Sequence, residues 1–151
     1  MPAPRRDEPT NADIRYTVDD ETFDELADLA GERIAGIGVW EDSITQALGE
    51  GEMTDSAVDV DVYLDCGVFF ELYGVLCYPD LDSEPLAGTT TIDAHLAALV
   101  SQGIMLIDIA VDDEDSLVLI LGADTRPILY LNAGAWTLNE WEELPDTVHS
   151  T

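Results

Sequence analysis

The sequence contains no lysine, and its cationic side chains are limited to five arginines and two histidines, against 33 Asp and Glu residues. The formal net charge is therefore −28 over 151 residues. Proteins that bind nucleic acid neutralise phosphates with Lys and Arg side chains. This composition excludes a phosphate-binding basic patch, and we expect no nucleic-acid partner.

Long apolar runs are also missing. No stretch approaches the roughly 18 to 20 apolar residues of a membrane-spanning helix, and the N-terminal sequence MPAPRR has no apolar signal-peptide core. The two cysteines, Cys66 and Cys77, lie on the order of 30 Å apart along a predicted hairpin, beyond the disulfide limit of about 7 Å between Cα atoms. We therefore predict a cytoplasmic protein with two free thiols and no membrane partner.

Motifs of known reactions are absent as well. The two histidines, His95 and His149, are far apart, the serines lie outside G-x-S-x-G, and there is no phosphate loop or spaced set of metal ligands. The sequence therefore predicts no cofactor, no metal and no catalytic residue. It favours a non-enzymatic protein without deciding the question.

What the chain has in abundance is acid. Molar salt shortens the Debye length to about 3 Å and so screens repulsion between carboxylates, which also stay well hydrated. An acidic protein can instead imitate DNA, but a mimic gathers its charge on one face, and here the acids are scattered over predicted turns, helix surfaces and strand exteriors. The absence of lysine resembles proteins of extreme halophiles, chiefly haloarchaea, and we favour adaptation to concentrated salt.

The clearest local pattern is Ala57–Tyr78, AVDVDVYLDCGVFFELYGVLCY. Apolar and polar residues alternate through its first half, as in a half-buried strand. Asp65–Gly67 then provides a three-residue hairpin loop in which glycine takes a positive φ. This loop length places Val62 opposite Phe70, whereas a two-residue loop would place it opposite Glu71, so the apolar pattern selects the register.

The remaining patterns predict an α+β domain at 13–145, between a flexible arm at 1–12 and a tail at 146–151. Thr22 and Glu25 form a capping box for the first helix, and Asn139 is expected to cap a last helical turn. Helices are predicted at 22–34 and 91–102, and strands at 13–18, 36–40, 57–65, 68–78, 104–111, 116–121 and 127–133; residues 41–56 are left unassigned. The two halves each read helix–strand–strand–strand, which predicts a mostly antiparallel sheet with two helices on one face, built from two αβββ pseudo-repeats.

The opposite sheet face is predicted to be partly open and to carry the candidate binding residues Asp59, Asp61, Tyr63, Phe69, Glu71 and Tyr73. Asp61 is expected opposite Glu71, and like charges at such positions are unfavourable at ordinary ionic strength. Salt screening of exposed acids is one interpretation, and a hard-cation site or an acid/base pair is another. The aromatic residues are expected either to line a surface for a small ligand or partner or to pack as cross-strand pairs.

Asp108 interrupts the apolar strand 104–111. A buried carboxylate without a partner costs several kcal/mol. We therefore expect Asp108 to point to the open face or to meet Arg126 or another donor. His95, at the border of the second helix's apolar stripe, is predicted to pack without binding a ligand.

Residues Ser116–Trp136, SLVLILGADTRPILYLNAGAW, continuing through WTLNEWEEL, resemble the C-terminal hairpin of small bacterial α+β domains of unknown function, some of which resemble polymorphic-toxin immunity proteins. The resemblance covers about a fifth of the chain and implies binding rather than catalysis. We predict a non-enzymatic protein- or small-ligand-binding accessory domain of an extreme halophile, with another protein or a second copy as partner. The alternatives are a small carboxylate-dependent enzyme or divalent-cation-binding domain, and an acidic DNA-mimic or immunity-type inhibitor.

Overall fold

The computed structural model describes residues 15–41, 57–80, 82–123, 126–144 and 148–150. The predicted arm at 1–12 and residues 42–56 of the unassigned segment 41–56 lie outside the described residues. The elements are α1 (Asp20–Ala27), β1 (Ile34–Glu41), β2 (Ala57–Leu64), β3 (Val68–Tyr78), α2 (Thr89–Ser101), β4 (Met105–Val111), β5 (Leu117–Ala123), β6 (Arg126–Asn132), β7 (Ala135–Glu140) and β8 (His149–Ser150).

All strand pairs are antiparallel and belong to one sheet in the order β4–β5–β6–β3–β2–β1–β8. Strand β7 also pairs with β3, along a different part of β3 from β6. The predicted α+β fold with a mostly antiparallel sheet is confirmed. In the part of the chain that the structure describes, neither helix has the length and apolar character needed to cross a membrane.

The β2–β3 hairpin has the predicted register, with Val62 opposite Phe70 and Gly67 at φ +96° in the loop. The alternation of β3 changes at Gly74, where φ is +57° and the pairing with β2 shifts by a residue. This bulge turns Cys77 toward the core, where burial raises the pKa of its thiol to about 12. Both cysteines are free thiols, as predicted.

One apolar cluster joins the core face of the sheet to both helices. Leu26 comes from α1, and Ile92, Leu96 and Val100 come from α2 at helical spacing, all of them at most 2% exposed. Trp136 of β7 belongs to the same cluster. Since both helices contribute to this single core, we call the opposite side of the sheet its outer face.

The two αβββ units have the same order of elements and contact each other at equivalent places. The start of β1 meets the start of β4 through reciprocal hydrogen bonds: the Ile34 N–H donates to the Ile104 carbonyl (3.0 Å), and the Leu106 N–H donates to the Glu32 carbonyl (2.8 Å). Directly after Ile34 and after Leu106, each strand has a shift in register. Ile34 and Leu106 therefore occupy equivalent places in the two units.

The same symmetry holds at the centre of the sheet. β3 pairs with β7 along Val68–Tyr73 and with β6 along Leu76–Tyr78, so β6 and β7 together match the length of β3. The break between them is at Gly134, whose N–H donates to the Tyr73 carbonyl (2.9 Å) beside the Gly74 bulge. The fold is therefore two αβββ pseudo-repeats that pair through their third strands.

Two local predictions are wrong. Helix α1 begins earlier than predicted, because the Asp19 side chain accepts a hydrogen bond from the Thr22 N–H (2.7 Å), and it ends at Ala27 instead of residue 34. Asn139 caps no helical turn, because Ala135–Glu140 forms β7 and makes six residue pairs with β3. Long-range pairing with a strand 62 to 72 residues away outweighs the local helix signals there.

Both ends of the domain also differ from the prediction. Of the predicted strand 13–18, the described part makes a single bridge, between Arg15 and Trp136. In the segment assigned to the tail, His149 pairs with Ile37 and Ser150 with Gly36, so β8 adds to the β1 edge.

Candidate functional site

Two rows of residues cross the outer face of each repeat. In the first repeat the rows are Gly38–Asp61–Glu71–Thr137 and Gly36–Tyr63–Phe69–Asn139. In the second repeat the equivalent rows are Ala110–Val118–Asn132–Leu76 and Asp108–Ile120–Tyr130–Tyr78. The rows of the two repeats correspond position by position in the strand pairing, so the two outer faces can be compared directly.

The outer face of the first repeat carries all six predicted site residues, and we call these six the buried face. The structure brings them together but contradicts the prediction that this face is partly open. Asp59 is 1% exposed, Asp61 is 5% and Glu71 is 4%, and the three aromatic residues are at most 9% exposed. A partner protein cannot reach these side chains in this conformation.

The cover over the buried face depends on two glycines of β1. A Cβ on Gly38 would overlap the indole ring of Trp40 and lie 2.8 Å from a methyl carbon of Val148. A Cβ on Gly36 would lie 2.9 Å from the carbonyl oxygen of His149. Because glycine has no side chain at these places, the Trp40 ring and the C-terminal segment can lie flat against the strand.

The segment after β7 supplies the rest of the cover. Trp141, Leu144 and Val148 pack in a second apolar cluster with Tyr63 and Phe69. The Trp141 ring meets Tyr63 edge-on at 5.7 Å between centroids, and Tyr63 stacks on Phe69 at 4.6 Å. The predicted cross-strand aromatic pair is therefore present, and the Trp141 ring packs against it.

Two hydrogen bonds hold this segment at its ends. The Trp141 indole N–H donates to the Leu64 carbonyl at 2.9 Å. His149 Nε2 lies 2.8 Å from a carboxylate oxygen of Asp93 on α2, with both side chains around 40% exposed. The segment is thus tied to the β2–β3 hairpin at one end and to helix α2 at the other.

Three carboxylates are buried beneath this cover, and among the described residues they are the only buried acids. Asp59 accepts a hydrogen bond from the Gly74 N–H at 3.2 Å, which satisfies the bulge of β3. Glu71 accepts from the Thr137 hydroxyl and from the Asn139 amide, both at 3.0 Å. Asp61, directly opposite Glu71, also has a further interaction. Two of these acids therefore have structural roles within the sheet.

This arrangement offers acid/base groups but no assembled metal site. Within the described ranges, no three His, Cys, Asp or Glu side chains are grouped so that they could hold a metal ion. His95 is half-buried on α2, and the Cys66 thiol is exposed at the hairpin tip.

The outer face of the second repeat has the opposite character. Its half-exposed apolar and aromatic side chains, which we call the half-exposed face, are Leu76, Tyr78, Ile107, Val118, Ile120 and Tyr130. None of the six belongs to either apolar cluster. Asp108 is exposed at the edge of this face, as one of the two predicted alternatives required, and its carboxylate accepts the Ile109 N–H at 2.8 Å.

Asp112 borders the same face at its other end. Its carboxylate accepts hydrogen bonds from the Asn132 amide (2.9 Å) and from the backbone N–H groups of Ser116 and Glu114. Partial burial acts to raise the pKa of Asp112, but these hydrogen bonds outweigh it and hold that pKa below its ordinary value.

A shallow depression of about 520 Å³ lies elsewhere, beside the start of α1, and its lining includes Arg15, Asp19 and Glu25. The Arg15 guanidinium lies 5.4 Å from the centre of the Trp136 ring and donates to the Thr22 hydroxyl at 3.2 Å. The Arg15 side chain therefore has structural contacts with Trp136 and Thr22.

Comparison with known protein families, with curated proteins and with solved structures finds no match.

Proposed function

We propose that this protein is a non-catalytic, cytoplasmic binding domain of an extreme halophile, and that its docking surface is the half-exposed face. The observation that carries the proposal is the contrast between the equivalent outer faces. One is covered by the chain itself, and the other has six half-exposed apolar or aromatic side chains in a protein of net charge −28.

The distribution of acid supports the halophilic part of the proposal. Most of the described Asp and Glu side chains are exposed, and the exposed ones occur on α1, at the hairpin tip and in the turns. Repulsion among so many surface carboxylates opposes folding at low ionic strength and is screened in molar salt. We expect the native circular dichroism spectrum in 3 M KCl to be lost cooperatively as the salt is removed, and a native spectrum in dilute buffer would refute the assignment.

Site-specific photocrosslinking tests the docking surface. A benzophenone amino acid at position 118 lies within the half-exposed face, whereas the same group at position 16 replaces a 63% exposed tyrosine on another surface. In cells or lysate at molar KCl, we expect a discrete adduct from position 118 and none from position 16. Absence of an adduct from position 118 would contradict a docking role for this face.

A second candidate rests on the three buried acids. Burying carboxylates is costly unless they are paired or bind a cation, so Asp59, Asp61 and Glu71 favour a divalent-cation-binding domain or a small carboxylate-dependent enzyme as the alternative. Calorimetric titration of magnesium, calcium and manganese in molar KCl, with Asp61→Asn as the control, decides between the two. Saturable heat that the variant lacks would favour the cation site.

A DNA-mimic or immunity-type inhibitor is the remaining alternative. Such a protein gathers negative charge on one surface, whereas the described exposed acids lie on several sides of the fold. Competition for a DNA-binding protein at low salt, with the fold intact, would support it against our proposal.

A further inference from the structure

The first strands of the two repeats, β1 and β4, are equivalent but have different neighbours. After their register shifts, Gly36 and Ile37 of β1 correspond to Asp108 and Ile109 of β4. On β1, the edge that faces away from β2 pairs with β8 at these two residues. On β4, the part of the strand beyond Leu106 pairs with β5 alone among the described residues. The described structure therefore has a strand at this place in the first repeat and none at the equivalent place in the second.

The β4 edge has a backbone donor that faces away from β5. The Asp112 N–H donates to the Ser116 carbonyl on the β5 side at 3.0 Å. Since the residues of an antiparallel strand face its two neighbours alternately, Ile109 faces away from β5. The Asp108 carboxylate accepts the Ile109 N–H at 2.8 Å. The donor that a further strand would use is thus already bonded within the chain.

This hydrogen bond protects the edge by a means that salt does not remove. Edge strands can pair with strands of other molecules, and charged side chains on the edge commonly oppose this pairing. In molar salt the Debye length is about 3 Å, so repulsion between two acidic edges is largely screened. A carboxylate bonded to the edge N–H acts at contact distance and does not depend on long-range repulsion.

The β1 edge differs because residue 36 is glycine. A Cβ on Gly36 would lie 2.9 Å from the carbonyl oxygen of His149, so β8 lies too close to β1 for a side chain at this position. Asp108 has a Cβ at the equivalent place on β4. A strand that approached β4 as β8 approaches β1 would therefore meet the Asp108 side chain.

We propose that Asp108 closes the β4 edge to strand addition by a second copy of this chain, whereas Gly36 leaves the equivalent β1 edge open to the chain's own β8. The excluded occupant is a second copy because two β4 edges are self-complementary, and antiparallel strands related by a twofold axis form a closed dimer. Asp108 thereby keeps the protein from joining edge to edge in concentrated salt. This role is independent of the partner that the half-exposed face binds.

Replacement of Asp108 tests the β4 edge. Asp108→Gly removes both the acceptor and the Cβ, and we expect a dimer of roughly twice the wild-type mass in sedimentation velocity at 3 M KCl. Amide hydrogen exchange at Ile109 should slow in this variant. Asp108→Asn is the matched control: it keeps the volume and an acceptor oxygen and loses the charge, so it should sediment as the wild type does. Circular dichroism in 3 M KCl confirms that each variant is folded.

Replacement of Gly36 tests the β1 edge independently. Gly36→Asp places the β4 side chain at the equivalent position of β1, and we expect β8 to be released. Amide exchange at His149 and Ser150 should then quicken, while exchange in the Val60–Val62 core of β2 stays slow. Gly36→Ala adds the Cβ without the carboxylate and should quicken the same two amides to a smaller extent.

Three results would overturn the inference. A folded Asp108→Gly variant with the wild-type mass would show that the β4 edge needs no protection. Association of Asp108→Asn as strong as that of Asp108→Gly would show that charge protects the edge instead of the hydrogen bond. Unchanged exchange at His149 and Ser150 in Gly36→Asp would show that glycine is not what admits β8.

Discussion

The outer faces of the two repeats have equivalent strand pairing but differ in burial. The face that carries carboxylates is the buried one, and the face that carries more apolar side chains is the half-exposed one. Asp61 and Glu71 are buried at the places where the second repeat has half-exposed Val118 and Asn132. The apolar row is therefore the more accessible one. The difference arises from the residues that follow β7 and β3, because Trp141, Leu144 and Val148 pack on the outer face while Leu86 packs against the main core.

The comparison also separates two uses of acidic residues. On the exterior, carboxylates serve hydration, and their exact positions matter little. Under the cover, each carboxylate needs a donor in a fixed place, as the bonds from Gly74 to Asp59 and from Thr137 to Glu71 show. A high acid content alone thus says nothing about which acids are structural.

The largest expected effect comes from breaking the cover on the first repeat. Gly38→Val places a branched side chain into the Trp40 ring and against Val148, and we expect a loss of about 3 kcal/mol in the free energy of unfolding. The matched control is Ala110→Val at the equivalent, half-exposed position, which should change stability by less than about 0.5 kcal/mol. Chemical denaturation in 3 M KCl measures both, and equal effects would refute the difference in cover.

The next effect concerns the buried polar row. Glu71→Ala removes the acceptor of the Thr137 hydroxyl and one of the two acceptors of the Asn139 amide, and we expect a cost of about 1 to 3 kcal/mol. The equivalent change in the second repeat, Asn132→Ala, removes a half-exposed bond to Asp112 and should cost less than about 1 kcal/mol. A larger loss of stability for Asn132→Ala than for Glu71→Ala would contradict the difference in burial between the two rows.

How well the sequence predicts a structural feature depends on how far apart in the chain the interacting residues are. The β2–β3 register follows from local alternation and one loop, and it is correct down to Asp61 opposite Glu71. Alternation assigns a residue to a face, but it cannot say whether another segment lies on that face. The cover comes from Trp141 and Val148, some 80 residues away.

One signal for the cover was present in the sequence and was missed. Gly36, Gly38 and Trp40 occupy alternate positions on one side of β1, and glycines at such positions mark a close approach of another group. β7 was missed for a different reason. Its pairing with β3 is a long-range interaction, and the local pattern around Asn139 favours a helix cap.

A smaller effect is expected from Asp112 at the border of the half-exposed face. Because its folded-state pKa is lowered, its stabilisation is complete above the ordinary value of 3.8 and is lost as the pH falls through the folded-state pKa. Asp112→Asn should therefore weaken the fall in stability on acidification below about pH 4. Denaturation midpoints across this range check it, and an unchanged pH dependence would contradict the role of these hydrogen bonds.

The smallest effect concerns the anchor of β8. His149→Ala removes a partly exposed contact with Asp93, and we expect a loss of at most about 1 kcal/mol. Amide hydrogen exchange should quicken at His149 and Ser150 while the Val60–Val62 core of β2 stays protected. Uniformly faster exchange would mean that the contact supports the whole fold.

The most direct test of the difference between the two faces uses the five tyrosines of the chain. Tyr63 and Tyr73 belong to the buried face, Tyr78 and Tyr130 to the half-exposed face, and Tyr16 is 63% exposed elsewhere. Nitration in 3 M KCl, mapped by mass spectrometry, should modify Tyr16, Tyr78 and Tyr130 and spare Tyr63 and Tyr73. Equal reactivity of the four tyrosines on the two faces would contradict the account.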